Sequence, residues 1–199
     1  PAIGEAQSGI VSREAALAAV FVGATIASDR VYLTPAQVEQ VATLSRDEVQ
    51  SKIYARYVAT RDGVVVGRAY VDTHVVRTKR ESLLVSLAAD GRVRRIDVTA
   101  FLEPLDYLAP EPWIRQYTNK LLSDDLAVNR AIRPIAGATL TTRAVNAAVR
   151  RVLALDRDEA SRHGFGFPTI VIRKATMEPP TVLEGAVSYP EVVEALLKS

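Results

Sequence analysis

Between residues 12 and 45 the apolar positions recur at the spacing of helices that turn one face inward. In "REAALAAVF", Ser12 precedes the run as an N-cap, Arg13 and Glu14 occupy its first turn, and Gly23 stands near its end. "TPAQVEQVATL" repeats the device, with Thr34 as cap, Pro35 at the first helical position, and Val38, Val41 and Leu44 as the inward row. "SRDEVQSKI" extends that helix or begins a second short one. The longest uncharged run, "AALAAVFVGATIAS" at 15–28, falls short of the roughly 20 apolar residues that cross a bilayer. Glu5 and Glu14 precede it, where a signal peptide carries only positive charge, so it reads as a buried helix and its exit.

The period then changes. "YARYVATRDGVVVGRAYVDTHVV" is rich in β-branched and aromatic residues, and its "RDG" is a hairpin turn signal. After "RTKRE", the run "SLLVSLAADGRVRRIDVTAFL" turns again at "ADG", with Val93, Ile96 and Val98 as core candidates. The pattern predicts an α+β fold: an antiparallel sheet of about four or more strands in a hairpin meander, flanked by helices.

"EPLDYLAPEP" interrupts with three prolines, and "WIRQYTNKLL" resumes helical spacing through Trp113, Ile114, Tyr117 and Leu121, with Pro112 at the start. The clearest helix is "RAVNAAVRRVLAL", with Val145, Ala148, Val149, Val152 and Leu153 on one face and Arg143, Arg150 and Arg151 off it. Beyond Asp156, "DRDEASRHGFGFP" is charged and then glycine-rich, as a linker is. One strand, a Pro-Pro break and a terminal helix capped by Ser188 follow. The expected organisation is a main domain over 1–155, with 156–199 as a linker and a strand-helix appendage packed on it.

Composition narrows the chemistry. The 199 residues, 48% hydrophobic and 24% charged, suffice for a buried core. The 25 basic and 23 acidic residues are spread along the chain, and aromatics do not interleave with arginines, so nucleic acid is not an expected partner. Cysteine is absent, which excludes disulfides, iron–sulfur clusters and thiol catalysis. The two histidines, His74 and His163, show no metal-ligand spacing; they read as a strand and a loop residue, and no metal is expected. The chain begins at Pro1 without an initiator methionine, as a mature form or one trimmed of a leader or anchor does.

One stretch joins small residues and hydroxyls at the mouth of a helix: "IAGATLTTRAVNAAV", 135–149. The first N–H groups of a helix lack intrahelical partners and carry about half a positive charge, which attracts phosphate. Gly137 and Ala138 allow close approach, and Thr139, Thr141 and Thr142, with Leu140 among them, can offer hydroxyls to its oxygens. Read from spacing alone, the same residues also make an N-cap and a tight helix entrance; "VGATIAS" at 22–28 carries the same tripeptide with no comparable helix behind it.

"AGATLTTRAVNAAV" resembles the motif of the FMN-binding domains of the Rnf electron-transport complex, the sodium-pumping NADH:quinone reductase and the nitrous-oxide-reduction regulator. In that family a dedicated flavin transferase esterifies the motif threonine to the phosphate of FMN; the matching residue is Thr139, with Thr141 the later hydroxyl. "FLEPLDYLAPEPWIRQYTNK" is similar to the family segment in which a loop covers the flavin and a helix follows; Glu103, Pro104 and Leu105 match the loop, Tyr117 and Lys120 the helix. The resemblance spans about 30–155. It departs at Arg133 and Ala136, where the family has Asp and a hydroxyl residue, and Arg133 is able to pair with phosphate where a carboxylate is not.

The resemblance implies an extracytoplasmic electron carrier whose redox chemistry belongs to FMN, attached by a phosphoester to Thr139, with no catalytic side chain. It also implies a redox partner protein or membrane electron-transport complex, and a flavin transferase for maturation. The alternative is a flavin-free sensory or structural extracytoplasmic module of the same fold. "GRAYVD" lacks the glycines of a dinucleotide fingerprint, and no G-x-S-x-G marks a hydrolase.

Overall fold

The computed structural model describes residues 9–163 and the two short strands β6 (Ile170–Ile172) and β7 (Thr181–Leu183), which pair antiparallel. The terminal helix expected after Ser188 lies outside the described residues.

The chain folds as α1 (Arg13–Val20), β1 (Thr25–Tyr32), α2 (Pro35–Ser45), β2 (Ile53–Arg61), β3 (Val64–Val75), β4 (Arg80–Ala88), β5 (Val93–Phe101), α3 (Glu111–Ile114) and α4 (Thr139–His163). Strands β1 to β5 form one antiparallel sheet in sequence order, an α+β meander as the hydrophobic pattern predicts. The turns follow from their residues: between β2 and β3, Asp62 and Gly63 both adopt positive φ (51° and 78°), the conformation a two-residue hairpin requires and glycine adopts without strain.

Both caps form. Ser12 Oγ accepts from the Ala15 N–H at 3.1 Å, and Thr34 Oγ1 accepts from the Gln37 N–H at 3.3 Å while Gln37 Oε1 accepts from the Thr34 N–H at 3.0 Å. One face of the sheet packs against α4 through β3 and β4, and α2 packs on α4; Val41, Val145, Ala148, Val149, Val152 and Leu153 belong to one core with Tyr70, Leu83, Val85, Val93, Ile96 and Val98. On the other face α1 buries Ala16, Leu17 and Val20 against Ala59, Ala69 and Leu84.

Several expectations are corrected. Residues 25–28, read as the exit from a buried helix, begin an edge strand. α2 stops at Ser45, because Arg46 takes a left-handed conformation (φ 59°) that ends it. The helix expected over 113–122 is only α3 and a following 3₁₀ turn, Arg115–Tyr117. α4 begins at Thr139 and continues to His163, so the boundary expected after Leu155 falls inside a helix. Of the three arginines expected off its apolar face, Arg143 is exposed, but Arg150 and Arg151 are buried, as are Asp156, Asp158 and Glu159. Arg150 donates to the Leu44, Ser45, Ser123 and Leu126 carbonyls, closing the C-terminal end of α2. Asp156 accepts from Arg68 and from the Tyr70 hydroxyl, fixing the second half of α4 to β3.

Candidate functional site at the start of α4

The entrance to α4 is a tight turn. Gly137 has φ +75°, which a Cβ disfavours, and nothing lies within 4 Å of where one would stand, so the backbone there is bare toward solvent. The Ala138 N–H closes the turn on the Ile135 carbonyl at 3.2 Å. Thr142 locks it from inside: Oγ1 accepts from the Ile135 N–H at 2.9 Å and donates to the Ala138 carbonyl at 3.0 Å. Thr141 Oγ1 donates to the Tyr107 carbonyl at 2.7 Å, tying the first helical turn to the 3₁₀ turn Leu105–Tyr107.

These bonds correct the reading of the threonines. Thr141 and Thr142 are buried, and each has spent its one hydroxyl hydrogen on a protein carbonyl, leaving none to donate to an anion. Thr139 is exposed, and its hydroxyl has no partner among the described residues. The same holds for the backbone N–H groups of Thr139, Leu140 and Thr141, the unpartnered donors that a helix start provides.

A cleft of about 280 Å³ opens over this end, lined by Gly137, Ala138, Thr139, Leu140 and Thr141 and, from elsewhere in the chain, Arg77 and Tyr107. The Arg77 guanidinium lies 4.5 Å from the centroid of the Tyr107 ring, stacked on it, and makes no hydrogen bond or ion pair among the described residues. A cation oriented by an aromatic face, bare N–H groups and a free hydroxyl thus converge on one solvent-open cleft, a set of donors suited to a phosphate.

Glu103, Pro104 and Leu105 are placed differently from expectation. The Glu103 carboxylate does not line the cleft: Oε1 accepts from the backbone N–H groups of Thr78 (2.6 Å), Lys79 (2.8 Å) and Arg77 (3.2 Å) and from the Thr78 hydroxyl (3.4 Å). Those bonds, the Thr78 N–H foremost and then Lys79, hold its carboxyl below the usual range and keep it charged. Glu103 therefore clamps the β3–β4 turn that carries Arg77. Pro104 and Leu105 are exposed and lead into the 3₁₀ turn, so the segment meets the cleft through Tyr107. Tyr117 is buried and accepts from Asn146 Nδ2 at 3.1 Å, a packing role, and Lys120 bonds Val93 through its backbone carbonyl. The Arg133 backbone is held by Gln116 and Trp113, while its side chain is exposed.

Arg77 and Tyr107 were not among the residues the sequence singled out. Arg77 stands in the basic turn "RTKRE" and Tyr107 in the proline-rich "EPLDYL", segments 30 residues apart in number that only the fold brings together.

Among the described residues no group of three or more His, Asp or Glu side chains could hold a metal ion, and no helix is long and apolar enough to cross a membrane. The fold and the cleft define an α+β domain with a five-stranded antiparallel meander and an open, donor-lined helix entrance. No protein-family model, no curated protein and no solved structure matches the chain.

Proposed function

We propose that the protein is an extracytoplasmic FMN-binding electron carrier in which Thr139 is esterified to the flavin phosphate, serving a redox partner protein or membrane electron-transport complex. The observation that carries this reading is the free Thr139 hydroxyl within a cleft where unpartnered N–H groups and the Arg77 guanidinium also lie. The residues present fit the phosphate end of FMN: Gly137 gives close approach, the amides of Thr139 to Thr141 donate, and Arg77 supplies the countercharge. Thr141 and Thr142 hold the entrance rigid, and Tyr107 and exposed Leu140 offer apolar surface beside it. When bound, FMN supplies one- and two-electron redox chemistry, so no side chain needs a catalytic role.

The test is the intact mass of protein produced together with a flavin transferase. An added mass of FMN less one water, lost in Thr139→Ala, supports the reading, as does flavin fluorescence that stays with the band after denaturing electrophoresis. Colourless protein of unmodified mass refutes it and favours the flavin-free module, the reading to which Arg133 and Ala136 point.

A further inference from the structure

His74, the penultimate residue of β3, sits between two carboxylates inside the protein. Nδ1 lies 2.9 Å from Asp72 Oδ1 and Nε2 lies 3.1 Å from Glu81 Oε2, directly across the strand pair, and all three side chains are at least 98% buried. A carboxylate only accepts, so both contacts are hydrogen bonds only if both ring nitrogens donate. Asp72 has a second countercharge: Arg151 from α4 grips it with Nε at 3.0 Å and Nη2 at 2.9 Å, and reaches Asp47, after α2, with Nη1 at 2.8 Å. Among the described residues Glu81 bonds through its side chain to His74 alone, and its buried Oε1 has no partner.

We propose that His74 is a proton-operated latch: as an imidazolium it joins Asp72 on β3 to Glu81 on β4 and keeps the Arg151 anchor of α4 closed, and on losing its proton it loosens α4 from the sheet. With the proton, His74 and Arg151 face the carboxylates of Asp72, Glu81 and Asp47. Without it, Asp72 and Glu81 are left inside the protein with Arg151, which also serves the partly exposed Asp47, and the interior penalises the unpaired charge. Tyr54 of β2 does not relieve the excess; burial and then Asp72 push its hydroxyl up to about 12, so it stays neutral. Arg143 and Gln50 line the 230 Å³ cleft beside His74, Asp47 and Arg151. Burial opposes the charge on His74 but the bonds to Asp72 and Glu81 outweigh it, so the ring titrates above its usual range. A raised value in the folded state means that this stabilisation is complete below the ordinary histidine range, about 6.5, and is lost as pH rises through the folded value. The inference does not rest on the flavin reading.

The experiment is a titration of the ¹⁵N-labelled full chain, with His163→Gln to assign the two imidazoles, alongside amide exchange of residues 144–152 corrected for its intrinsic pH dependence. The expected result is a His74 ring still doubly protonated above about pH 6.5, and exchange protection in α4 that falls over the same pH interval in which the ring deprotonates. Glu81→Gln is expected to move both midpoints down together by about 1–3 pH units, the effect of removing an adjacent opposite charge. If that variant does not fold, the native chain decides alone. A neutral, single-tautomer His74 at neutral pH, with the proton on Glu81, overturns the proposal, as does protection that stays constant while the ring titrates.

Discussion

Thr139, Thr141 and Thr142 share a chemistry and differ in what surrounds it. Thr142 joins the Ile135 N–H to the Ala138 carbonyl from a fully buried position, whereas the Thr139 side chain is exposed and its hydroxyl has no partner among the described residues. Thr142→Val keeps the shape but strands the Ile135 N–H, and is expected to cost about 1–3 kcal/mol. Thr139→Ala is expected to change stability by less than about 0.5 kcal/mol, as a surface substitution does. Paired urea denaturation curves check both values, and they must separate if the helix entrance is scaffolded by one threonine and equipped by the other. Equal losses would make Thr139 a structural residue and remove the basis for its proposed role.

The elements were legible where a local rule decided them. Asp62-Gly63 in its turn and the caps at Ser12 and Thr34 are encoded within a few residues and are found where the sequence puts them. Thr34→Ala removes the hydroxyl that accepts from the Gln37 N–H and donates to Gln37 Oε1, leaving only the bond from the Thr34 N–H to that oxygen, and is expected to cost about 1 kcal/mol in the same denaturation assay, with Gln37→Ala costing less because the Thr34 hydroxyl keeps its bond to the Gln37 N–H. β1 was not legible because it is an edge strand with Val31 as its one buried side chain, so no alternation marks it. The second half of α4 was hidden for the opposite reason. Asp156, Asp158 and Glu159 form a charge run that normally faces water, but here it meets cations and amides from other elements: Arg68 on β3, Gln37 on α2 and Arg56 on β2. At the site, the small and hydroxyl residues of the helix mouth could be read locally. Arg77 and Tyr107 could not, because the turn that carries one and the 3₁₀ turn that ends in the other come together only through tertiary bonds from Glu103 and Thr141.

At the scale of the molecule, α4 is about 37 Å of helix fastened to the sheet by polar anchors spaced along it, on a face that is otherwise apolar. Arg151 grips Asp72, and five residues further along the helix Asp156 receives Arg68 Nε at 2.5 Å, Arg68 Nη2 at 3.0 Å and the Tyr70 hydroxyl at 2.9 Å. Arg68 is 2% exposed, so water cannot take over the countercharge if Asp156 loses it. Asp156→Asn is therefore expected to cost about 3–5 kcal/mol, the loss seen when one partner of a buried ion pair is removed. Replacing the pair together, Arg68→Met with Asp156→Leu, is expected to cost clearly less than the single change, because it removes the stranded charge along with its partner. Urea unfolding of the two variants beside the native chain gives both values. A single substitution no worse than the double one would mean that apolar packing alone seats α4, and that the run of charges in its second half contributes nothing to holding the helix on the sheet.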